Sequence, residues 1–415
     1  MDVLKIATAG SVDDGKSTLI GRLLFETNSI TTDKLQAIEA SSKKKGLDYV
    51  DLSLLTDGLI AEREQGITID VAHIYFSTPK RKFIIADTPG HFEYTRNMVT
   101  GASNANVSMI LVDARNGVVE QTFRHFYISC LLRIPKVIVC VNKMDLVGYT
   151  QQTFEEIKSE FMAFAEQVRF GGQEISFIPV SSLYGGNLLN PSEHMPWYEG
   201  APLLSLLEQV PLEQQLSEEA GRFPVQYVVR PKSEEFHDYR AYAGKVASGL
   251  LRKGERVVVL PSGQETTIAK IEKFGREIEA AQAKESISLL LQDDVDISRG
   301  DMIVPLNQLP QQSRQLEATV CWMDKKPLRV GGTYLVQHGV NVAKAKISAL
   351  SNLVDVVTLD RQADISELKL NEIATVQLRT AKEIFYDAFA VNKANGSFIL
   401  IDEQTNATVG VGLIN

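Results

Sequence analysis

The amino-acid sequence reads as a mostly parallel, doubly wound α/β domain followed by two small antiparallel β-barrels. Three features carry that reading. Residues 1–210 alternate short apolar runs with helical stretches, a polar and acidic segment at 211–222 breaks the texture, and the remainder is short alternating runs divided by turns. The boundaries expected are 1–210, a linker at 211–222, and barrels at 223–308 and 309–415. A chain of 415 residues is too long for a single core at about 150 residues per domain.

In chain order, "LKIATAG", "KFIIADT", "VSMILVDA", "KVIVCVNK" and "ISFIPVSS" have strand length and are apolar nearly throughout. Strands buried on both faces of a parallel sheet have this composition, with helices as crossovers. Apolar residues at helical spacing place crossovers through "LIGRLLF", at 122–133 and at 151–168. The stretch "QVPLEQQLSEEAGRFP" is polar and ends in Gly and Pro, as a linker would. Beyond it "FPVQYVVR", "AGKVASGLL", "ERVVVL", "TTIAKIEKF" and "SISLLLQ", parted by turns such as "RKGE" and "PSGQ", suit a first barrel. The runs "EATVCWM", "TYLVQHG", "NVAKAKISAL", "EIATVQLR" and "GSFILID" suit a second. No repeat recurs at a fixed period.

Composition narrows the function classes. Hydrophobic residues at 44 % and charged residues at 23 % describe an ordinary folded globular chain. With 43 basic and 52 acidic residues the net charge of −9 offers no overall attraction for nucleic acid or an acidic membrane. No apolar run reaches the roughly 18 to 20 residues of a membrane span. The start "MDVLKIATAG" lacks the parts of a signal peptide, so a cytoplasmic location is expected. Cys130, Cys140 and Cys321 are odd in number and lack metal-ligand spacing, which suits buried packing residues in a reducing compartment.

Chemistry first shows in "GSVDDGKST", residues 10 to 18, which fits G-x-x-x-x-G-K-[ST] between a strand and a helix. Gly10 and Gly15 permit a tight loop. The backbone through Ser11, Val12, Asp13 and Asp14, and on past Gly15 to Thr18, is the expected cradle for phosphate oxygens at a helix N-terminus. Lys16 would reach the β and γ phosphates, and Ser17 would offer its hydroxyl to Mg²⁺.

The base is read further on. "NKMD", residues 142 to 145, ends another strand and fits the guanine-reading N-K-x-D pattern through Asn142, Lys143 and Asp145. Asp145 would accept hydrogen bonds from N1–H and the 2-amino group of guanine; adenine offers neither, leaving a carboxylate unpaired. "VSSL" at 180–183 adds Ser181, with Ser182 and Leu183 in the same loop. GTP is therefore the expected nucleotide.

Between these motifs lies "IADTPGHFEY", in which an apolar strand runs into Asp87, a Pro-Gly bend and His91. Asp87 stands where such folds place the carboxylate that supports Mg²⁺, and Gly90 can donate its N–H to a γ-phosphate. His91 would orient the attacking water. In "EREQGITID", residues 62 to 70, Thr68 would bring a second hydroxyl to Mg²⁺ when the γ-phosphate is present, making a switch. His73, His125, His194, His237 and His338 share no metal spacing and receive no role.

With these residues assembled, the first 210 positions resemble the GTP-binding domain of the translation-factor superfamily, elongation factor Tu-like, and the barrels resemble its second and third domains. Within it, "GSVDDGKSTLIGRLL", "DGLIAEREQGITIDVAHIYFSTPKRKFIIADTPGH", "YTRNMVTGAS", "MPWYEG", "FPVQYVVRP" and "DISRGD" resemble the GTPase large-subunit family of the bacterial two-subunit ATP sulfurylases. The resemblance implies a heterodimer in which a small, ATP-binding sulfate adenylyltransferase subunit makes adenosine 5′-phosphosulfate and pyrophosphate from ATP and sulfate. GTP hydrolysis on the large subunit would drive that step, the first of sulfate activation. It also implies that Val12 and Ile67 form an apolar gate holding His91 from the water until a partner acts. The segment from "GYTQQTFEEIKSEF" onward departs from the pattern, and the sequence ends soon after "TNATVGVGLIN" where relatives often carry a tail. The alternative on the same fold is a translation factor acting with aminoacyl-tRNA or the ribosome, and a third reading is a GTP-binding module without turnover.

Overall fold

The computed structural model describes residues 2–44, 46, 50–55, 71–90, 95–168, 172–212, 219–230 and 239–415. The chain divides into two compact units, Met1–Leu212 with Asp355–Asp360, and Glu213–Val354 with Arg361–Asn415.

The first unit is built on a six-stranded sheet. Its strands are β1 (Val3–Ala9), β2 (Ala72–Ser77), β3 (Lys82–Asp87), β4 (Val107–Asp113), β5 (Lys136–Asn142) and β6 (Glu174–Pro179), in the order β2-β3-β1-β4-β5-β6. All pairings are parallel except that of β2 with β3. All seven residues of β4 are buried, which is why its sequence is largely apolar, with Met109 to Val112 an unbroken apolar run. Helices α1 (Lys16–Glu26), α2 (Thr32–Lys44), α3 (Thr95–Ala102), α4 (Glu120–Leu131), α5 (Gln151–Ala165) and α6 (Leu203–Gln209) complete the unit. Leu19, Ile20 and Leu23 of α1 meet Leu4, Ile6, Ile85 and Leu111 of the sheet in one core.

Strand β2 was not legible in the sequence. Only Phe76 of its six residues is buried, stacked on Phe83 at a centroid distance of 4.5 Å, so the strand lacks the apolar continuity of the others. The three cysteines are free and buried as expected, and burial pushes the Cys130 thiol up to about 12. Among the described residues no helix is long and apolar enough to cross a membrane.

The second unit holds two closed barrels. The first uses β7 (Phe223–Val229), β8 (Ala241–Lys245), β10 (Arg256–Leu260), β11 (Gln264–Lys273), β14 (Ser286–Leu291) and β15 (Met302–Pro305), with short β9 (Leu250–Arg252), β12 (Arg276–Ile278) and β13 (Ala280–Gln282) at its margins. Its ring runs β10-β15-β7-β8-β14-β11 and closes by the β10–β11 pairing. The other is made from β16 (Gln311–Trp322), β18 (Thr333–His338), β19 (Asn341–Val354), β22 (Ile373–Tyr386), β23 (Ser397–Ile401) and β24 (Thr408–Ile414). Here the ring is β18-β23-β24-β16-β22-β19, closed by β18–β19, with β20 (Arg361–Asp364) added to β19 and β17 (Leu328–Arg329) paired with β21 (Glu367–Leu368). The rings are wired differently: β7 lies between β15 and β8, whereas β16 lies between β24 and β22. Similar barrel size is thus not a simple duplication.

Arg222, expected in the linker, is instead 1 % exposed and belongs to the barrels. Its guanidinium forks onto Asp387 at 2.9 and 2.8 Å and donates to the carbonyls of Gly221 and Gln308 at 2.9 and 2.6 Å. One side chain therefore joins the start of the first barrel, the crossing segment and the second barrel. A buried arginine is tolerable because four donors find acceptors.

Candidate nucleotide site

Parallel strands present their carboxyl ends along one edge of the sheet, the place where open α/β sheets form ligand crevices. The sequence-predicted residues that fall among the described ones gather there. At the end of β1, Gly15 adopts φ +90°, and a Cβ added to it would stand 2.5 Å from the Asn142 amide nitrogen. Only glycine fits that approach.

Lys16 is buried and donates to the carbonyls of Gly10 and Ser11 at 2.8 and 3.1 Å. Burial lowers its ammonium pKa, against the pull of Asp87, Asp14 and Asp13. Asp14 turns inward and accepts the Ser11 N–H at 2.5 Å. A carboxylate thus sits where the loop offers a backbone donor, and burial raises it to about 6 in spite of that bond and of Lys16. Ser17 is half-buried on the first turn of α1, and among the described residues no hydrogen bond takes up its hydroxyl. Val12 is 36 % exposed on the loop.

Asp87 closes β3 at 1 % exposure, register-paired with Thr8, whose hydroxyl donates to its Oδ1 at 3.0 Å. Thr88 anchors the following turn through its hydroxyl to the Thr8 carbonyl at 2.5 Å. Gly90 then packs against the phosphate loop: an added Cβ would lie 2.5 Å from both the Gly10 carbonyl and Lys16 Nζ. Ile67, Thr68 and His91 lie outside the described residues, so the gate and switch expectations rest on sequence.

The elements expected to read the base are bonded to the same loop. Asn142 donates from Nδ2 to the Asp14 carbonyl at 2.7 Å, and its Oδ1 accepts from Ser182 N–H at 3.0 Å and the Ser182 hydroxyl at 2.7 Å. Lys143, held at φ +62°, donates to the Asp13 carbonyl and pairs with Asp113 at 2.9 Å. Asp145 accepts the Ser181 hydroxyl at 2.6 Å. Leu183 accepts from Arg22 of α1, which also donates to the Ser182 carbonyl at 3.3 Å.

Sequence reasoning missed three of these supports. Asp113 ends β4 as Asp87 ends β3, and a carboxylate closing an apolar run was the available signal. Burial alone would raise its pKa, but the hydrogen bonds from Arg115 and Lys143 prevail and hold it near about 2. Arg22 carries no such signal, because its acceptors lie 160 and 161 residues away. Tyr149, at φ +57°, stacks on His194 at 4.8 Å, and its carbonyl accepts from the Trp197 indole at 2.9 Å. The "MPWYEG" stretch thus braces the segment that follows "NKMD". Chemically, the edge gathers a backbone loop with a buried ammonium, a carboxylate beside it, and a second carboxylate, Asp145, bonded to Ser181.

The family described as Elongation factor Tu GTP binding domain matches residues 1–214, and that described as GTP-eEF1A C-terminal domain-like matches residues 315–415. The chain is 50 % identical over 413 residues to the bifunctional enzyme CysN/CysC of Mycobacterium tuberculosis, covering 99 % of this chain and 67 % of that one. It is 48 % identical over 415 residues to sulfate adenylyltransferase subunit 1 of Bacteroides fragilis, covering 100 % of this chain and 86 % of the relative. Among solved structures, the GTPase-like domain of Saccharomyces cerevisiae Ski7 bound to GDP and inorganic phosphate superposes with a TM-score of 0.55 at 18 % identity, covering 100 % of this chain and 97 % of that one. That likeness is one of fold.

Proposed function

The chain belongs to the sulfate adenylyltransferase subunit 1 family and is the GTPase subunit of that enzyme; from this premise we propose that GTP hydrolysis here drives adenylyl transfer from ATP to sulfate on a separate small subunit. The observation that carries the proposal is the single bonded edge at which Asn142 ties the phosphate loop to Ser182, beside Asp145 and Asp87.

Lys16 and the loop amides would neutralise and align the β and γ phosphates, as phosphoryl transfer depends on positioning and charge. Ser17, Thr68 and Asp87 would hold Mg²⁺, which when bound would supply positive charge against the phosphates. His91 would orient the attacking water, with Val12 and Ile67 holding it back until the partner docks. Gly90 would sense the γ-phosphate through its N–H, so that hydrolysis is reported to the partner as a backbone change. A cytoplasmic heterodimer follows from this division of labour.

His91→Ala is expected to keep GTP affinity within about twofold and to lose partner-stimulated turnover by about a hundredfold, the share a general base commonly contributes. Unchanged stimulated turnover would remove His91 from the mechanism. The functional test follows inorganic phosphate and adenosine 5′-phosphosulfate together, with the chain alone and then with small subunit, ATP and sulfate. Both products should rise in step and only in the full mixture. Hydrolysis stimulated by ribosomes, with no phosphosulfate formed, would favour a translation factor.

A further inference from the structure

The second barrel carries a groove of about 730 Å³ on its outer face, far in sequence from the nucleotide motifs. Strand β19 turns Ala343, Ala345 and Ile347 inward and leaves Lys344, Lys346 and Ser348 outward, by the period-two alternation of a pleated strand. In the ladder with β22, Lys346 stands directly opposite Arg379. Both side chains line the groove. Like charges at opposed positions destabilise a sheet unless something neutralises them.

Nothing among the described residues does so. Neither Lys346 nor Arg379 makes an ion pair or a side-chain hydrogen bond there, whereas neighbouring cations are matched: Lys344 with Glu403 at 2.9 Å, Arg329 with Glu367 at 2.9 Å, and Arg314 with Glu383 at 4.0 Å. The chain carries net charge −9, so a bare cationic pair is not a consequence of basic composition. Both residues also adjoin ladder irregularities. The β19–β22 register shifts between Ile347 and Ala349, and the β16–β22 register shifts between Ser313 and Gln315, the residue opposite Arg379. Thr380 fixes the second bulge, its hydroxyl within 3.2 Å of the Arg314 carbonyl and 2.6 Å of the Lys382 carbonyl. Bulges of this kind re-aim side chains and recur beside binding sites.

We propose that this groove binds a small ligand bearing a phosphate or sulfate group. Arg379 and Lys346 clamp the anionic group, the guanidinium through paired N–H donors and the ammonium as a point charge. Thr333 and Ser348 supply hydroxyls, and Val330, 53 % exposed at the rim, offers apolar surface to an uncharged remainder. The volume falls within the roughly 300–1,000 Å³ of small-molecule sites, which favours a nucleotide-sized ligand over a polymer. The site is independent of the GTP reading, since it uses no residue of the first unit.

The test is calorimetric titration of the full chain, saturated with GDP, with sodium pyrophosphate, sodium sulfate and adenosine 5′-monophosphate in turn. At least one should bind with a Kd below about 1 mM and weaken with added salt. Tighter binding of the nucleotide marks an organic phosphate ligand, and binding of pyrophosphate or sulfate alone marks an inorganic one. Lys346→Glu and Arg379→Gln should each lower that affinity by about tenfold or more while GDP affinity holds. Absence of binding by all three probes, or equal binding by both variants, overturns the proposal. So does a chain that ignores the small anions but retains duplex RNA through these residues. If GDP itself fails to bind, the nucleotide reading falls, and the same titrations and variants still decide the groove.

Discussion

Asn142 does two jobs with one amide: its nitrogen holds the phosphate loop at Asp14 and its oxygen holds the base loop at Ser182. That leaves Asp145 as the proposed reader of guanine, with Asn142 positioning the loops on either side. Asp145→Asn is expected to move preference from GTP to xanthosine triphosphate by on the order of a thousandfold, because the amide presents a donor where guanine also donates. Competition binding with the two nucleotides measures it, and undiminished GTP preference would remove Asp145 from the role. Asp113 makes a pH-dependent contribution. Its carboxyl is depressed from 3.8 to about 2, so the stability it adds is present above the ordinary value and is lost as the pH falls from about 4 to 2. Asp14 runs the other way: raised from 3.8 to about 6, it costs stability as the pH rises through that window. The two windows meet at the ordinary carboxylate value and extend in opposite directions from it. Asp113→Asn should remove about 2 kcal/mol of the acid-labile stability between pH 4 and 2, read from urea unfolding, and loosen nucleotide binding by freeing Lys143. An unaltered acid limb would show that the Asp113 pairings contribute nothing in solution.

Elements differ in how plainly they can be read, and burial explains the difference. Strand β4 is buried at all seven positions and β5 at six of seven, so their sequences are apolar runs that no surface element imitates. Helix α2 buries only Ile38 and Ser42, which leaves too little periodicity to detect. Strand β24 contains Gly410 and Gly412, the latter set beneath the Phe398 ring; glycine there answers a packing demand that local propensity counts as a break. At the site, the expected residues lie in contiguous motifs, whereas Arg22 acts through carbonyls 160 and 161 residues away and Asp113, paired with Arg115 and Lys143, offers only a carboxylate at a strand end. The phosphate loop joins element to residue. Gly15→Ala must place a methyl against Asn142 at a backbone angle L residues rarely adopt. It should abolish GDP binding while leaving the circular dichroism spectrum intact, and retained binding would mean the loop relaxes without cost.

At the scale of the whole molecule, the bonds of Arg222 to both barrels predict that it ties them into one cooperative unit. Asp387, whose side chain is 12 % exposed, accepts both arms of that guanidinium and also the Asn395 amide at 2.8 Å. Removing one partner of such a pair strands a buried charge, a loss of about 3–5 kcal/mol, whereas replacing both with apolar residues is often nearly neutral. The chain has two tryptophans, Trp197 in the first unit and Trp322, 1 % exposed, in the second barrel. Each reports one unit when the other is changed to phenylalanine. Arg222→Ala should lower the urea midpoint seen at Trp322 while the transition at Trp197 and the GDP affinity stay in place. Arg222→Met combined with Asp387→Leu should recover most of the loss. If both tryptophans shift together in the single variant, the two units unfold as one and the tie is global. Failure of the double variant to recover would instead mean that Arg222 acts through the Gly221 and Gln308 carbonyls, not through its charge on Asp387.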